Sequence, residues 1–429
     1  MTLRVVHCIG FYFPDPVGGT EVYVRDLAAT LLERGVESSV VAATDDSERE
    51  YLWEGIPVSR YPARSGRTAF QQLVRRLEPD VFHLHSWTTG AGLPHLRHAA
   101  ELGIPSVATL HVPAPLCLRG TMLLEGKTPC DGRIDEARCA RCWALERGVP
   151  APAARLISHL PKWAPPPWLT RTPVRRIATL ASARTIAANQ AERLQELARL
   201  CKRIVVPSEW VGSALRQNAI PDGKILLSRQ AASTAFGSDG GGARHGGSGR
   251  ELTIGFMGRL ETYKGVQTLI EAMSLIPPQT PLRLIIAGTS DDRNNLRAIE
   301  AAAAKDPRIE FVGPLPHERI PAFLESLDIL AVPSRWMETG PIVVLEAQAM
   351  GVPVMGADLG GISERVRDGI DGWLLPFDEP RAWAAAMHQA AADRSQVAIR
   401  AANSKRTRTA SDIAAEMATL YGELHDRST

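Results

Sequence analysis

The sequence predicts an α/β protein of two parallel-sheet domains. The chain has 429 residues, more than one ordinary hydrophobic core accommodates. Short β-branched runs alternate with amphipathic helical patterns along it, the signature of stacked βαβ units. Near the middle the stretch GSDGGGARHGGSG, residues 237–249, breaks that alternation and reads as a flexible linker.

In the first domain, residues 1–236, strands are expected at 5–9, 39–42, 81–84, 106–110 and 203–206. The first strand leads through PDPVGGTE into a helix carrying Val24, Leu27 and Leu31, with Gly35 as its stop. In the second domain, residues 250–398, strands are expected at 252–257, 282–287, 309–312, 329–332 and 353–355. An Ala-rich tail, 399–424, has a helical pattern.

Bulk properties exclude several classes. Hydrophobic residues make up 45% of the chain, enough for both domains, and no apolar run is long enough to span a bilayer. Lys+Arg number 49 against 47 Asp+Glu, a balance that argues against a dedicated nucleic-acid binder. The apolar opening MTLRVVHCIGFYF lacks a small-residue cleavage site, so the expectation is a cytoplasmic protein rather than a secreted one.

The run ETGPIVVLEAQAMGVPV is the most informative segment. Gly340-Pro341 reads as a helix start, because proline lacks the N–H that a first turn leaves unpaired. Glu338 then lies on the preceding loop and Glu346 on the second helical turn. Free N–H groups near Ile342 and Val343, with the positive end of the helix dipole, make an anion site flanked by carboxylates that can accept from sugar hydroxyls. An amphipathic helix with two solvated glutamates is the plainer reading of the same spacing.

Arg259 and Lys264, in GRLETYKG, follow a glycine-ended strand and are suited to a bound diphosphate, arginine by paired N–H groups and lysine as a point charge. Gly18-Gly19 lets backbone approach a ligand, or else forms a plain tight turn. His111 ends the strand SVATLH. His83 and His85, in HLH, are expected to alternate across their strand and are left out of the site. Cys117, Cys130, Cys139 and Cys142 cluster, the last two as C-x-x-C, and three readings stand open: a structural Zn²⁺ site, disulfides, or unrelated free thiols. Residues 161–176, PKWAPPPWLTRTPVRR, suit either a membrane interface or a proline-rich loop with its tryptophans turned inward.

The chain resembles the family 4 retaining glycosyltransferases of the GT-B fold (glycosyl transferases group 1). Carrying the resemblance, in the family's order, are PDPVGGTE, PDVFHLH, ATLH, IVVPSEW, IGFMGRLETYKGVQTLIEAM, LIIAG, FVGPLP, LDILAVPSRWMETGP and GGISERVRDGIDGWLL. Roughly four fifths of the chain follows that order, which is far more specific than one motif. The resemblance implies two Rossmann-like parallel-sheet domains facing a central cleft, an N-terminal acceptor-binding domain and a C-terminal nucleotide-sugar domain. It also implies a C-terminal helix, 399–429, packed back on the first domain, and membership of a subset with a four-cysteine insertion.

By the same resemblance Arg259 and Lys264 hold the donor's diphosphate, with Gly340, Ile342 and Val343 at the helix end. Glu338 contacts the transferred sugar, Glu346 grips the ribose, Gly18 and Gly19 lie against the donor, and His111 contacts its sugar near the reacting centre. Catalysis needs no cofactor or metal. The partners implied are a nucleotide-sugar donor (UDP- or GDP-linked) and a glycan or lipid-linked acceptor at the inner face of the cell membrane. A soluble small-molecule or sugar-phosphate glycosyltransferase and a non-catalytic sugar-nucleotide-binding regulator are the alternatives. The sequence departs from the commonest pattern where TGP replaces a phenylalanine-glycine step after Glu338, which bears on donor-sugar selectivity.

Overall fold

A computed structural model of the chain describes residues 2–15, 18–63, 67–88, 90–166, 168–169, 175–233, 236, 251–404 and 408–426. The linker expected at 237–249 and part of the 161–176 stretch lie outside these residues. The chain divides into two compact units, Met1–Arg229 with Ser411–Thr429, and Gln230–Ala410.

In the first unit the strands are β1 (Arg4–Ile9), β2 (Glu37–Thr44), β3 (Arg49–Trp53), β4 (Ile56–Pro62), β5 (Val81–Leu84), β6 (Ser106–Thr109), β7 (Leu123–Leu124), β8 (Thr128–Pro129), β9 (Cys201–Val206) and β10 (Ile225–Leu227). Among the described residues, eight of them form one sheet in the order β10-β9-β6-β5-β1-β2-β4-β3. Val5, Val6, Cys8 and Ile9 are all buried, as expected of a parallel strand covered on both faces. Among the described residues the only antiparallel pair in this sheet is β3–β4, a hairpin whose turn residues Glu54 (φ 49°) and Gly55 (φ 81°) are both left-handed. Positive φ at both turn positions suits the strand twist.

In the second unit β11 (Leu252–Met257), β12 (Leu282–Ala287), β13 (Ile309–Gly313), β14 (Ile329–Val332), β15 (Val354–Ala357) and β16 (Gly372–Leu375) form a sheet in the order β13-β12-β11-β14-β15-β16. All its strand pairs are parallel. In chain order this is 3-2-1-4-5-6, a doubly wound sheet whose direction reverses between β11 and β14. Val344 and Leu345 of the helix Ile342–Ala349 pack into the same apolar cluster as Leu330, Val332 and Val354, which seats that helix against β14 and β15.

The tail divides differently from expectation. The helix Arg394–Ala402 belongs to the second unit, where Arg400 donates to the Gly372 carbonyl at 3.2 Å and lies 4.3 Å from the Trp373 ring. In the first unit the helix Ala410–Asp426 buries Tyr421 completely, with its hydroxyl 2.5 Å from His83 Nδ1. The earlier crossing, at Arg229/Gln230 rather than near 236, also has a packing reason. Gln230 lies so close to Gly340 that a Cβ there would stand 2.0 Å from its Oε1.

Candidate functional site

Ligands of open α/β sheets bind outside the carboxyl ends of the strands, where the strand order reverses. In the second unit that place is defined by the ends of β11 and β14. Gly258 and Arg259 follow β11, and Pro333 and Ser334 follow β14. The two loops are joined by the Arg335 N–H, which donates to the Tyr263 carbonyl at 2.7 Å.

Lys264 closes the 3-10 turn Thr262–Lys264, and its Nζ donates to Glu338 Oε1 at 2.7 Å. Ser334 Oγ donates to the same oxygen at 2.8 Å. The Glu338 side chain is 8% exposed and that of Lys264 23%, so the pair is sheltered but open on the lysine side. The Lys264 Nζ also lies 5.1 Å from the Trp336 ring centroid. Arg259 is exposed, its guanidinium 5.8 Å from the Tyr263 ring, and among the described residues it forms no ion pair. Gly265, at φ 76°, lets the chain turn directly into the helix Val266–Leu275, and a Cβ there would stand 1.9 Å from the Pro333 oxygen.

The expected helix start is present. Pro341 is the N-cap of Ile342–Ala349, among the described residues no side-chain capping hydrogen bond is made there, and Ile342 and Val343 are half-buried. Glu346 lies on the second turn and is buried, at 4% exposure, so it is no solvated glutamate. Sequence reasoning gave no role to Gly360 and Gly361, yet the Gly361 N–H donates to the Glu338 carbonyl at 2.7 Å and a Cβ on Gly360 would collide with Met337. Ser334 was likewise missed. Gly361 carries no local signal, because it acts on Glu338 through the fold, whereas Ser334 lies only four residues before Glu338. Together these residues place two cations, a buried carboxylate and uncapped helix N–H groups on adjoining loops, which suits an anionic ligand bearing hydroxyls.

Gly18, Gly19 and His111 belong to the first unit. Gly18 is the N-cap of the helix Gly19–Glu33, and Gly19 is its first residue rather than part of a loop. Gly18 has φ −119°, a conformation open to any residue, and its N–H donates to Glu21 Oε2 at 2.8 Å. His111 is 8% exposed and meets Tyr23 edge-on at 4.8 Å. The expectation that His83 and His85 face opposite ways is corrected: residues two apart share a face of a strand, and their rings lie 3.9 Å apart. His85 Nδ1 stands 3.2 Å from His111 Nε2, and His7 Nδ1 stands 3.0 Å from His85 Nε2. Burial pushes the pKa of His7 and His111 down to about 3 and that of His85 well below its usual value, so all three are neutral.

Cys139 and Cys142 lie on the helix Glu136–Glu146, and all four clustered cysteines are free thiols. Thiolates on one tetrahedral Zn²⁺ stand about 3.8 Å apart, given Zn–S bonds near 2.3 Å. Among the described residues, the group of three or more ligand atoms within 4.8 Å of one another is His7, His83 and His85, not Cys117, Cys130, Cys139 and Cys142. Cys142 Sγ instead accepts from the Glu125 N–H at 3.2 Å, and Cys130 Sγ points at Asp131. The four thiols are close enough to influence one another electrostatically, but among the described residues they do not form so compact a group. In the 161–176 stretch, Trp163 and Trp168 are 39% and 66% exposed, contrary to an inward-folded loop. Among the described residues no helix is long and apolar enough to cross a membrane.

Residues 17–227 match Glycosyltransferase Family 4, and residues 243–408 match Glycosyl transferases group 1. The chain is 28% identical to a D-inositol 3-phosphate glycosyltransferase of Pseudarthrobacter chlorophenolicus over 92% of this chain and 88% of that protein. Among solved structures it is similar to sucrose-phosphate synthase from Thermosynechococcus elongatus, with TM-score 0.66, 17% identity and coverage of 99% of this chain and 100% of the other. It is also similar to Anabaena HepE in complex with UDP and glucose, with TM-score 0.60, 17% identity and 99% of both chains covered. The fold of each unit is Rossmann-like and the structural neighbours are GT-B glycosyltransferases. The chain thus carries a Glycosyltransferase Family 4 domain followed by a glycosyl transferases group 1 domain.

Proposed function

We propose that this protein is a retaining glycosyltransferase that moves a sugar from a UDP- or GDP-linked donor onto a glycan or lipid-linked acceptor in cell-surface polysaccharide synthesis. The observation that carries the reading is the Lys264–Glu338 pair at the strand-order reversal of the second unit, beside uncapped helix N–H groups. Breaking the bond between the anomeric carbon and the diphosphate leaves negative charge on phosphate and positive character on the sugar. Arg259, Lys264 and the N–H groups of Ile342 and Val343 stabilise the first. Glu338 supports the second and accepts from sugar hydroxyls, while Glu346 accepts from the ribose.

His111, Gly18 and Gly19 serve the sugar and the incoming acceptor. The acceptor oxygen bonds to the anomeric carbon as the phosphate oxygen leaves, and the departing phosphate takes the acceptor's proton. No metal is given a part in catalysis, its electrostatic task falling to Arg259 and Lys264. The complex of Anabaena HepE with UDP and glucose supports a nucleotide-sugar donor. A thermal-shift panel of nucleotide sugars tests the reading, since a true donor stabilises the folded chain by mass action. Stabilisation by none of the UDP- or GDP-sugars overturns it.

Exposed Trp163 and Trp168 support peripheral contact with the inner face of the membrane. A second reading, transfer to a small phosphorylated acceptor, is favoured by the name of the Pseudarthrobacter relative. Co-sedimentation with anionic vesicles, together with transfer assays on inositol 3-phosphate, separates the two.

A further inference from the structure

His7, His85 and His111 form one row of ring-to-ring hydrogen bonds among buried residues. The links are His7 Nδ1 to His85 Nε2 at 3.0 Å and His85 Nδ1 to His111 Nε2 at 3.2 Å. His7 and His85 are no more than 1% exposed. The far end of the row, His7 Nε2, is buried and among the described residues has no hydrogen-bond partner. His83, beside the row, is satisfied separately by Tyr421 at 2.5 Å and Thr109 at 2.7 Å.

A neutral imidazole carries one proton, and each link needs one donor and one acceptor. Only two arrangements of the row meet both conditions. In one, His7 Nδ1–H donates to His85, His85 Nδ1–H donates to His111, and His111 bears its proton on Nδ1. In the other, every proton sits at the opposite nitrogen, and His7 Nε2 becomes a buried N–H with nothing to receive it. An orphaned buried N–H costs more than an under-used acceptor, so the first arrangement is the stable one.

We infer that His7 and His85 are positioning residues that lock His111 in its Nδ1–H tautomer. Resting on the reading of His111 as a site residue, this makes its Nδ1 a hydrogen-bond donor rather than an acceptor. It also removes His111 Nδ1 as a general base for the acceptor hydroxyl, in keeping with proton transfer to the departing phosphate. The tautomer follows from the row alone, and its use follows from the proposed function.

Long-range ¹H–¹⁵N spectra of the full chain, labelled in its histidine rings, read the tautomer directly. His111 is assigned by the resonances lost in His111→Gln. The expected result is a protonated Nδ1 and a bare Nε2 on His111. A bare Nδ1 would overturn the inference, as would a metal ion on the rings of His7, His83 and His85, the alternative that their spacing allows. His85→Phe is expected to release His111 into a mixture of tautomers, and His85→Asn, with an amide N–H near the old Nδ1, to restore the lock. An unchanged tautomer in folded His85→Phe contradicts the proposal, and if that variant fails to fold the wild-type spectrum still decides. Undiminished transfer in His111→Gln would instead remove His111 from the reaction and leave the tautomer result standing.

Discussion

Lys264 donates to Glu338 across 2.7 Å although the two lie 74 positions apart in the chain. The pairing exists because β11 and β14 are neighbours in the sheet, so the loops that follow them meet at one edge. Ser334 and the Gly361 N–H hold Glu338 from two further directions, one at its carboxylate and one at its carbonyl. The carboxylate is thus fixed before any ligand arrives, and the ammonium beside it is the more exposed partner.

Removing the carboxylate should affect fold and function separately. Glu338→Ala leaves Lys264 and Ser334 without their acceptor and is expected to destabilise the chain by at most about 3 kcal/mol, the lysine being partly solvated. Glu338→Gln keeps an acceptor oxygen and is expected to preserve the fold in denaturant titrations while transfer is abolished. Turnover equal to wild type in Glu338→Gln removes the residue from the reaction.

Arg259 offers a cleaner separation, because it is exposed and forms no ion pair among the described residues. Arg259→Ala is expected to change stability by less than about 0.5 kcal/mol. Its affinity for nucleoside diphosphate is expected to fall about 10- to 100-fold, the range for losing charge-assisted bonds to phosphate. Calorimetry that finds equal affinity in the two proteins refutes the diphosphate role.

Gly265 turns the chain into the second unit's first helix at φ 76° with a backbone oxygen where a Cβ would stand. Gly265→Ala carries a left-handed penalty of about 1–2 kcal/mol before the collision is counted. Urea unfolding should therefore show a loss of at least that size, with Lys264 displaced and transfer reduced. A variant as stable as wild type would mean that the loop has an alternative path.

The buried histidines set an acid limit on stability. His7 and His111 titrate near 3 when folded and His95 near 4, against 6.5 when exposed, and His83 and His85 lie well below that value too. Above pH 6.5 both folded and unfolded chains are neutral at these rings, so nothing is lost. Below it the unfolded chain binds protons that the folded one refuses, and stability falls by up to about 1.4 kcal/mol per pH unit for each such histidine. The melting temperature should drop steeply from pH 7 to pH 5. A flat profile over that window contradicts neutral burial of the row.

Much of this was legible in the sequence because it is local. Each expected strand appears, and the start of the helix Ile342–Ala349 is where Pro341 placed it. The β3–β4 hairpin was missed because Glu54-Gly55 lacks the Asn-Gly or Asp-Gly pair that usually announces such a turn. Gly361 and Gln230 were invisible because each acts on a residue brought near only by the fold, and Ser334, four residues before Glu338, because no motif read in the sequence gave that serine a role. The histidine row failed on strand parity, since His83 and His85 share a face. The cysteines cluster in sequence, and in the fold the sulfurs of Cys142 and Cys130 meet the Glu125 N–H and Asp131.

The most direct test is a crystal structure of the chain with a nucleoside diphosphate bound. The phosphates are expected against Arg259, Lys264 and the N–H groups of Ile342 and Val343, with the ribose hydroxyls on Glu346. Phosphates seated away from the ends of β11 and β14 would contradict it.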